Sequence, residues 1–409
     1  MYDVVVIGAR CAGAPTAMLL AREGHKVLLV DRATFPSDIP HGHLIHREGP
    51  RCLHRWGLLG RIEASGCPPI TTMTLDEGRF SLVGIDLVVD GVALGYGPRR
   101  RVFDALLVAA AVEAGVEMRE GFVVDGVTSD GERITGVHGH DIRSGTPVQE
   151  RAKVTVGADG RNSTLARAVQ ASVYGSVPVL TCWYFSYWSG VPARGLELYV
   201  REKRVIFAFP TNDGLFAVFL AWPAEELPAV RADIEGQFMA TLDRAPELAV
   251  RVRGGTREER FYGATDLPNF FRRPYGPGWA LVGDAGYHKD PYLALGMSDA
   301  LRDAEALADA LDAGLTGRSP LDEVLAGYER RRNEASMSDY RMNEQAARFM
   351  PPPPEQVQLF AALRGNQEDT NRLFLAREGM IPPETFFNPT HVGRIMATAA
   401  ARTRQRPEG

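Results

Sequence analysis

Residues 2–13 read Tyr2-Asp3-Val4-Val5-Val6-Ile7-Gly8-Ala9-Arg10-Cys11-Ala12-Gly13, and residues 27–31 read Val27-Leu28-Leu29-Val30-Asp31. An apolar run, a glycine turn, a helix and a second apolar run ending in an acid make a strand–turn–helix–strand unit. Such a unit aims helix-start N–H groups at a pyrophosphate, where the helix dipole favours negative charge. Asp31 falls where a carboxylate accepts from a ribose hydroxyl. The turn therefore predicts a site for the ADP half of a dinucleotide, built on Gly8, Arg10, Cys11, Ala12, Gly13, Asp31 and Arg32. One position departs from the Gly-x-Gly-x-x-Gly pattern: Arg10 stands where the middle glycine lets backbone approach phosphate. An arginine there bends that approach or adds a charge-assisted contact.

The 409 residues are 45% hydrophobic and 24% charged, which suits an enzyme of about two domains. A net charge of −5 supplies no basic field for nucleic acid. No apolar run is long enough to span a bilayer. Met1 leads directly into strand residues without a secretory leader, and Cys11, Cys52, Cys67 and Cys182 show no metal or redox spacing. These features predict a cytoplasmic protein with free thiols and no bound metal, nucleic-acid partner or membrane partner.

Further along, helical patterns cover Pro15–Glu23, Pro50–Ala64, Arg99–Gly115, Arg231–Leu248, Gly296–Ala313 and Leu321–Phe349. Alternating β-rich stretches cover Thr71–Tyr96 and the aromatic run Tyr174–Trp222, and Pro351–Pro354 breaks the chain before a helical tail. Two more apolar runs end in acids, Lys153–Val156 before Gly157-Ala158-Asp159-Gly160 and Trp279–Val282 before Gly283-Asp284. Open parallel sheets bind ligands at the carboxyl ends of their strands, so Asp31, Asp159 and Asp284 converge on one expectation.

Together these motifs resemble the FAD-dependent aromatic hydroxylases of the p-hydroxybenzoate hydroxylase type, over roughly Met1–Tyr340. The resemblance implies an α/β fold with a discontinuous Rossmann-like FAD-binding domain (1–71, 99–172 and 270–340). It further implies an antiparallel β-sheet substrate domain (72–98 and 173–269) and a helical C-terminal segment (341–409). It assigns Asp159-Gly160-Arg161 with Arg167 to FAD and the nicotinamide donor, although that arginine falls one place late. It assigns Gly283-Asp284 to the ribityl chain and Arg99 or Arg100, with Arg100 favoured, to the ribityl or pyrophosphate region. Pro291, Gly296 and Met297 follow at family spacing, with Tyr287 and Ser298 replacing the usual histidine and asparagine. A glycine expected near Leu293 or Ala294 is absent.

A helix beginning at Gly296 would stabilise the anionic reduced flavin. The implied reaction is hydroxylation of an aromatic or polycyclic small molecule through a flavin C4a-hydroperoxide. FAD is the cofactor, NADPH or NADH the donor, and the enzyme a monomer or homodimer. Two alternatives share the motifs: a phenolic halogenase and an isoprenoid reductase resembling geranylgeranyl reductase. The halogenases often carry a Trp-x-Trp-x-Ile-Pro motif, which is absent here. Candidate catalytic groups are His288, Lys289 and His43. A histidine can serve as a base for a substrate hydroxyl, whereas a loop histidine with no task is the default reading, also for His41 and His46. Lys289 can stabilise a phenolate, a reduced flavin or a halogenating species, although a surface charge paired with Asp290 is the plainer reading.

Overall fold

In a computed structural model that describes residues 1–404, the chain divides into two compact units. The first comprises Met1–His43, Pro98–Val179 and Leu267–Glu344; the second comprises Leu44–Gly97, Leu180–Asp266 and residues 345–404.

The first unit is built on a parallel sheet in the strand order Glu117–Arg119, Val27–Val30, Tyr2–Ile7, Pro147–Gly157, Trp279–Leu281. The central strands read as continuous Val, Ile and Leu because a parallel sheet is covered on both faces; Val4, Val5, Val6, Leu28 and Leu29 are all fully buried. The strand Pro147–Gly157 outruns the apolar stretch that announces it. Its exposed first half pairs antiparallel with Arg133–Asp141, which pairs in turn with Phe122–Asp130. Helix Gly13–Arg22 packs against helices Arg100–Glu113 and Gly296–Leu315. Helix Leu321–Ala347 closes the unit through Arg332, which is buried and reaches Tyr174 Oη at 2.8 Å.

The second unit holds a sheet whose main strands are Thr181–Ser189, Phe216–Pro223, Arg204–Pro210, Leu196–Arg201, Met73–Asp76 and Ser81–Gly84. Alternation sorts its aromatics onto two faces. Tyr184, Trp188, Tyr199 and Trp222 pack with Phe238, Leu242, Leu248 and Val252 of the helices Ile234–Leu242 and Pro246–Arg253. The other face carries Trp183, Phe185, Phe207, Phe209 and Phe219, with the rings of Phe185 and Phe219 stacked 4.4 Å apart. Where one long helix is expected over Arg231–Leu248, Pro246 starts a separate one, and Gly57 at φ 76° splits the expected helix Pro50–Ala64. The residues from Gln345 join this unit, and helix Gln367–Arg377 lies along the edge strand Ser81–Gly84. Its side chains satisfy backbone there: Gln367 Nε2 donates to Val83 O at 2.8 Å and Ile85 N donates to Asn371 Oδ1 at 3.0 Å.

Candidate functional site: a dinucleotide cradle at the strand ends

Gly8 has φ 99°, and a Cβ on it would lie 2.5 Å from Ala158 O. A Cβ on Gly13 would lie 1.8 Å from Gly8 O. Both positions are closed to any side chain, so the turn brings bare backbone to the ends of the strands Tyr2–Ile7 and Pro147–Gly157. Asp31 follows the next strand and accepts from the N–H of Ala9 and of Ala33, each at 2.8 Å. It thereby clamps the turn through Ala9, while its neighbour Arg32 is exposed. Cys11 and Ala12 lie in the turn, and burial pushes the Cys11 thiol up to about 11.

Arg10 does not stand alone at the missing glycine. Its Nη1 meets Asp104 Oδ2 at 2.6 Å, its Nη2 donates to Ser37 Oγ at 3.2 Å, and its guanidinium covers the Phe35 ring. Asp104 is fully buried and also receives Arg100, whose Nε lies 3.1 Å from Oδ1 and whose Nη2 reaches the Cys11 sulfur at 3.2 Å. Two arginines therefore share one carboxylate beside the turn. The spacing of Arg100 and Asp104, one helical turn, was the only sequence signal for this cluster.

Asp159 and Asp284 complete the row at the strand ends. Asp159 Oδ2 accepts from Thr164 N at 2.6 Å, while its Oδ1 is buried without a hydrogen-bond partner, and burial raises the carboxyl. Asp284 is exposed in the short turn Gly283–Ala285 and shares an electrostatic neighbourhood with Arg100, Cys11 and His41. Pro291 opens a short turn that ends at Ala294 in the left-handed region, at φ 53° and ψ 28°. That is the conformation for which a glycine is expected, and alanine occupies it. Gly296 and Met297 then begin a helix, and nothing lies within 4 Å of where a Gly296 Cβ would be.

The three candidate catalytic residues are all buried and differ in their partners. His43 is buried at 1% exposure. His288 Nδ1 donates to Pro268 O, so that nitrogen carries the proton, and the ring stacks near Phe270 with 6.0 Å between ring centres. Lys289 corrects the expectation of a surface charge on Asp290. It is buried at 7% exposure and its ammonium meets Asp299, while Asp290 instead caps its own turn by accepting from Tyr292 N at 3.1 Å. A buried ammonium requires a carboxylate, and the start of the following helix supplies it. Of the loop histidines, His46 pairs with Glu378. His41, which is exposed, is the one that senses Arg100, Arg161, Asp284 and His288; partial loss of solvent first, then Arg100, lower its imidazole. Among the described residues no group of three or more His, Cys, Asp or Glu is placed to hold a metal ion, and no helix is long and apolar enough to cross a membrane.

The donor set fits FAD: a turn closed to side chains, a buried acceptor oxygen on Asp159 with no protein partner, an exposed carboxylate on Asp284 and an open helix start. A family model described as an FAD binding domain matches residues 1–340. A tryptophan 2-halogenase of Chondromyces crocatus is 26% identical over 340 residues, covering 80% of this chain and 64% of the relative, so the chain spans just under two thirds of that protein. The solved myxobacterial chondrochloren halogenase superposes with a TM-score of 0.78 at 21% identity, over 97% of this chain and 96% of that one. PqsL of Pseudomonas aeruginosa, a probable FAD-dependent monooxygenase, gives 0.70 at 24% identity, over 91% and 98%. The aromatic-hydroxylase resemblance and the α/β fold both stand, and the chain belongs to the FAD binding domain family, within the flavin-dependent oxidoreductases that include monooxygenases and halogenases.

Proposed function

We propose that this protein is an FAD- and NAD(P)H-dependent monooxygenase that hydroxylates an aromatic or polycyclic small molecule. The carrying observation is Lys289. Lys289 is buried against Asp299, and an ammonium already held by a carboxylate is poorly placed to bind a halogenating species. FAD, when bound, supplies reductive activation of molecular oxygen. The chain supplies the rest. Gly8, Gly13 and Asp31 shape and clamp the pyrophosphate turn. Arg100 and Arg10 set positive charge beside it. Asp284 would accept from the ribityl chain, and Gly296 with Met297 would direct N–H groups at the ring's developing charge. Within the second unit the aromatic row Trp183, Phe185, Phe207 and Phe219 is apolar and buried, a composition that suits an aromatic substrate. His288 holds its Nδ1 proton on Pro268 O, leaving Nε2 as an acceptor for a substrate hydroxyl proton.

One specific observation favours the halogenase as second reading: the likeness to the chondrochloren halogenase runs over 97% of this chain and 96% of that one. Anaerobic mixing with NADPH, and separately NADH, separates the two. Flavin bleaching by either donor, faster with aromatic candidates, followed by an oxygenated product, is the expected result. Bleaching by dithionite alone, with bromide or chloride incorporated once a separate reductase is added, would replace the hydroxylase reading. A hydrogenated product formed without oxygen would select the isoprenoid reductase.

A further inference from the structure

Asp299 stands in the first turn of the helix Gly296–Leu315. A carboxylate there complements the helix dipole, but it also spends the field that the opening N–H groups present outward. In this chain both oxygens of Asp299 are already engaged by cations. Lys289 takes Oδ2, and Arg302 takes Oδ1 at 2.8 Å. Arg302 extends to Tyr287 Oη at 3.0 Å and to Asp303 Oδ1 at 2.9 Å, so its fork spans three acceptors. The ammonium of Lys289 also lies over the Tyr287 ring. Burial pushes the Asp299 carboxyl up, yet Lys289 and Arg302 outweigh it and hold the group ionised. Of the four lysines, Lys26, Lys153 and Lys203 are exposed and only Lys289 is buried.

We propose that Lys289 is a positioning residue that neutralises Asp299, so that the start of this helix keeps a net positive field for the negative charge of reduced FAD. The inference rests on the flavin assignment but is independent of whether the substrate is hydroxylated or halogenated. Without Lys289, a buried carboxylate carries only half of its compensation, and Arg302 must divide itself between Asp299 and Asp303.

The midpoint potential of the FAD-loaded protein, measured by chemical reduction without donor or substrate, tests this. Lys289→Met should weaken the preference for reduced over oxidised FAD about tenfold, a fall of about 30 mV for a two-electron couple. Lys289→Arg, and Lys289→Met combined with Asp299→Asn, should stay near the wild-type potential. Asp299→Asn alone should raise it. An unchanged potential in Lys289→Met, or a double variant that falls as far as the single one, would overturn the proposal. If Lys289→Met does not fold, Asp299→Asn decides: a potential that is unchanged or lowered would overturn it. A wild-type protein that binds no FAD would overturn the flavin assignment along with it, whereas a failed hydroxylation assay would leave these potentials readable.

Discussion

His46 and Glu378 share a hydrogen bond of 2.6 Å across 332 positions of sequence. Both are buried, and the pair fastens the C-terminal residues to the strand Ile45–His46 within one unit. Burial alone would raise the Glu378 carboxyl, but His46, then Arg47 and Arg377, bring it from 4.5 to about 2. A depressed folded-state pKa means the contribution is complete above the ordinary glutamate range and is lost as pH falls from 4.5 toward 2. Glu378→Gln should therefore cost about 3 kcal/mol near neutrality, since it strips a buried pair of one partner. The gap to wild type should shrink as urea unfolding is repeated at lower pH; a gap that stays constant would refute the linkage.

Arg10 and Arg100 draw on the same carboxylate, so their losses should be unequal to that of Asp104. Arg10→Gly restores the family's glycine and leaves Asp104 paired with Arg100; it should cost about 1 kcal/mol. Asp104→Ala strands two guanidinium groups, one of them buried, and should cost about 3 to 5 kcal/mol. Equal costs in chemical denaturation would mean that Arg10 is the true anchor of Asp104.

Asp284 is exposed, so Asp284→Ala should leave the stability of the flavin-free protein within about 0.5 kcal/mol. It should weaken FAD at least about tenfold, the scale of a charge-assisted hydrogen bond, in a titration read by quenching of flavin fluorescence. A variant that purifies with a full complement of FAD would remove Asp284 from the ribityl contact.

Ala294 holds a backbone conformation that costs a non-glycine residue about 1 kcal/mol or more. Ala294→Gly should hold or raise the thermal midpoint. Ala294→Val, whose branched side chain resists this conformation more strongly, should lower stability by about 2 kcal/mol. Similar midpoints for the two variants would show that this turn is not strained.

The parallel sheet and the row of acids at its ends were legible because buried parallel strands read as unbroken apolar runs, and a glycine turn has few sequence solutions. The aromatic run Tyr174–Trp222 was legible as a sheet, and its alternation decides which rings meet helices. The breaks at Gly57 and Pro246 were signalled by residue type but overruled by the apolar period around them. What periodicity could not carry were pairings between distant or differently placed charges. Beside Lys289 the sequence offers Asp290, but its partner is Asp299, ten residues on and past the short turn Pro291–Leu293. Asp104 gave only a one-turn spacing with Arg100, and nothing local tied it to Arg10. His41, His43 and His46 looked equivalent in a single loop, yet one is enclosed, one is fastened to Glu378 and one sits among the charged groups near Asp284.

The amides of Gln367 and Asn371 occupy backbone groups along the strand Ser81–Gly84, and this gives the C-terminal residues a role in colloidal behaviour that is separate from chemistry. A chain ending before Gln367 would present an uncovered β-edge with Val83 and Ile85 beside it, both already 40% exposed. Such an edge recruits strands from other molecules. Shortened versions of this protein should therefore be lost first to precipitation during expression, before any defect in their flavin chemistry could be observed.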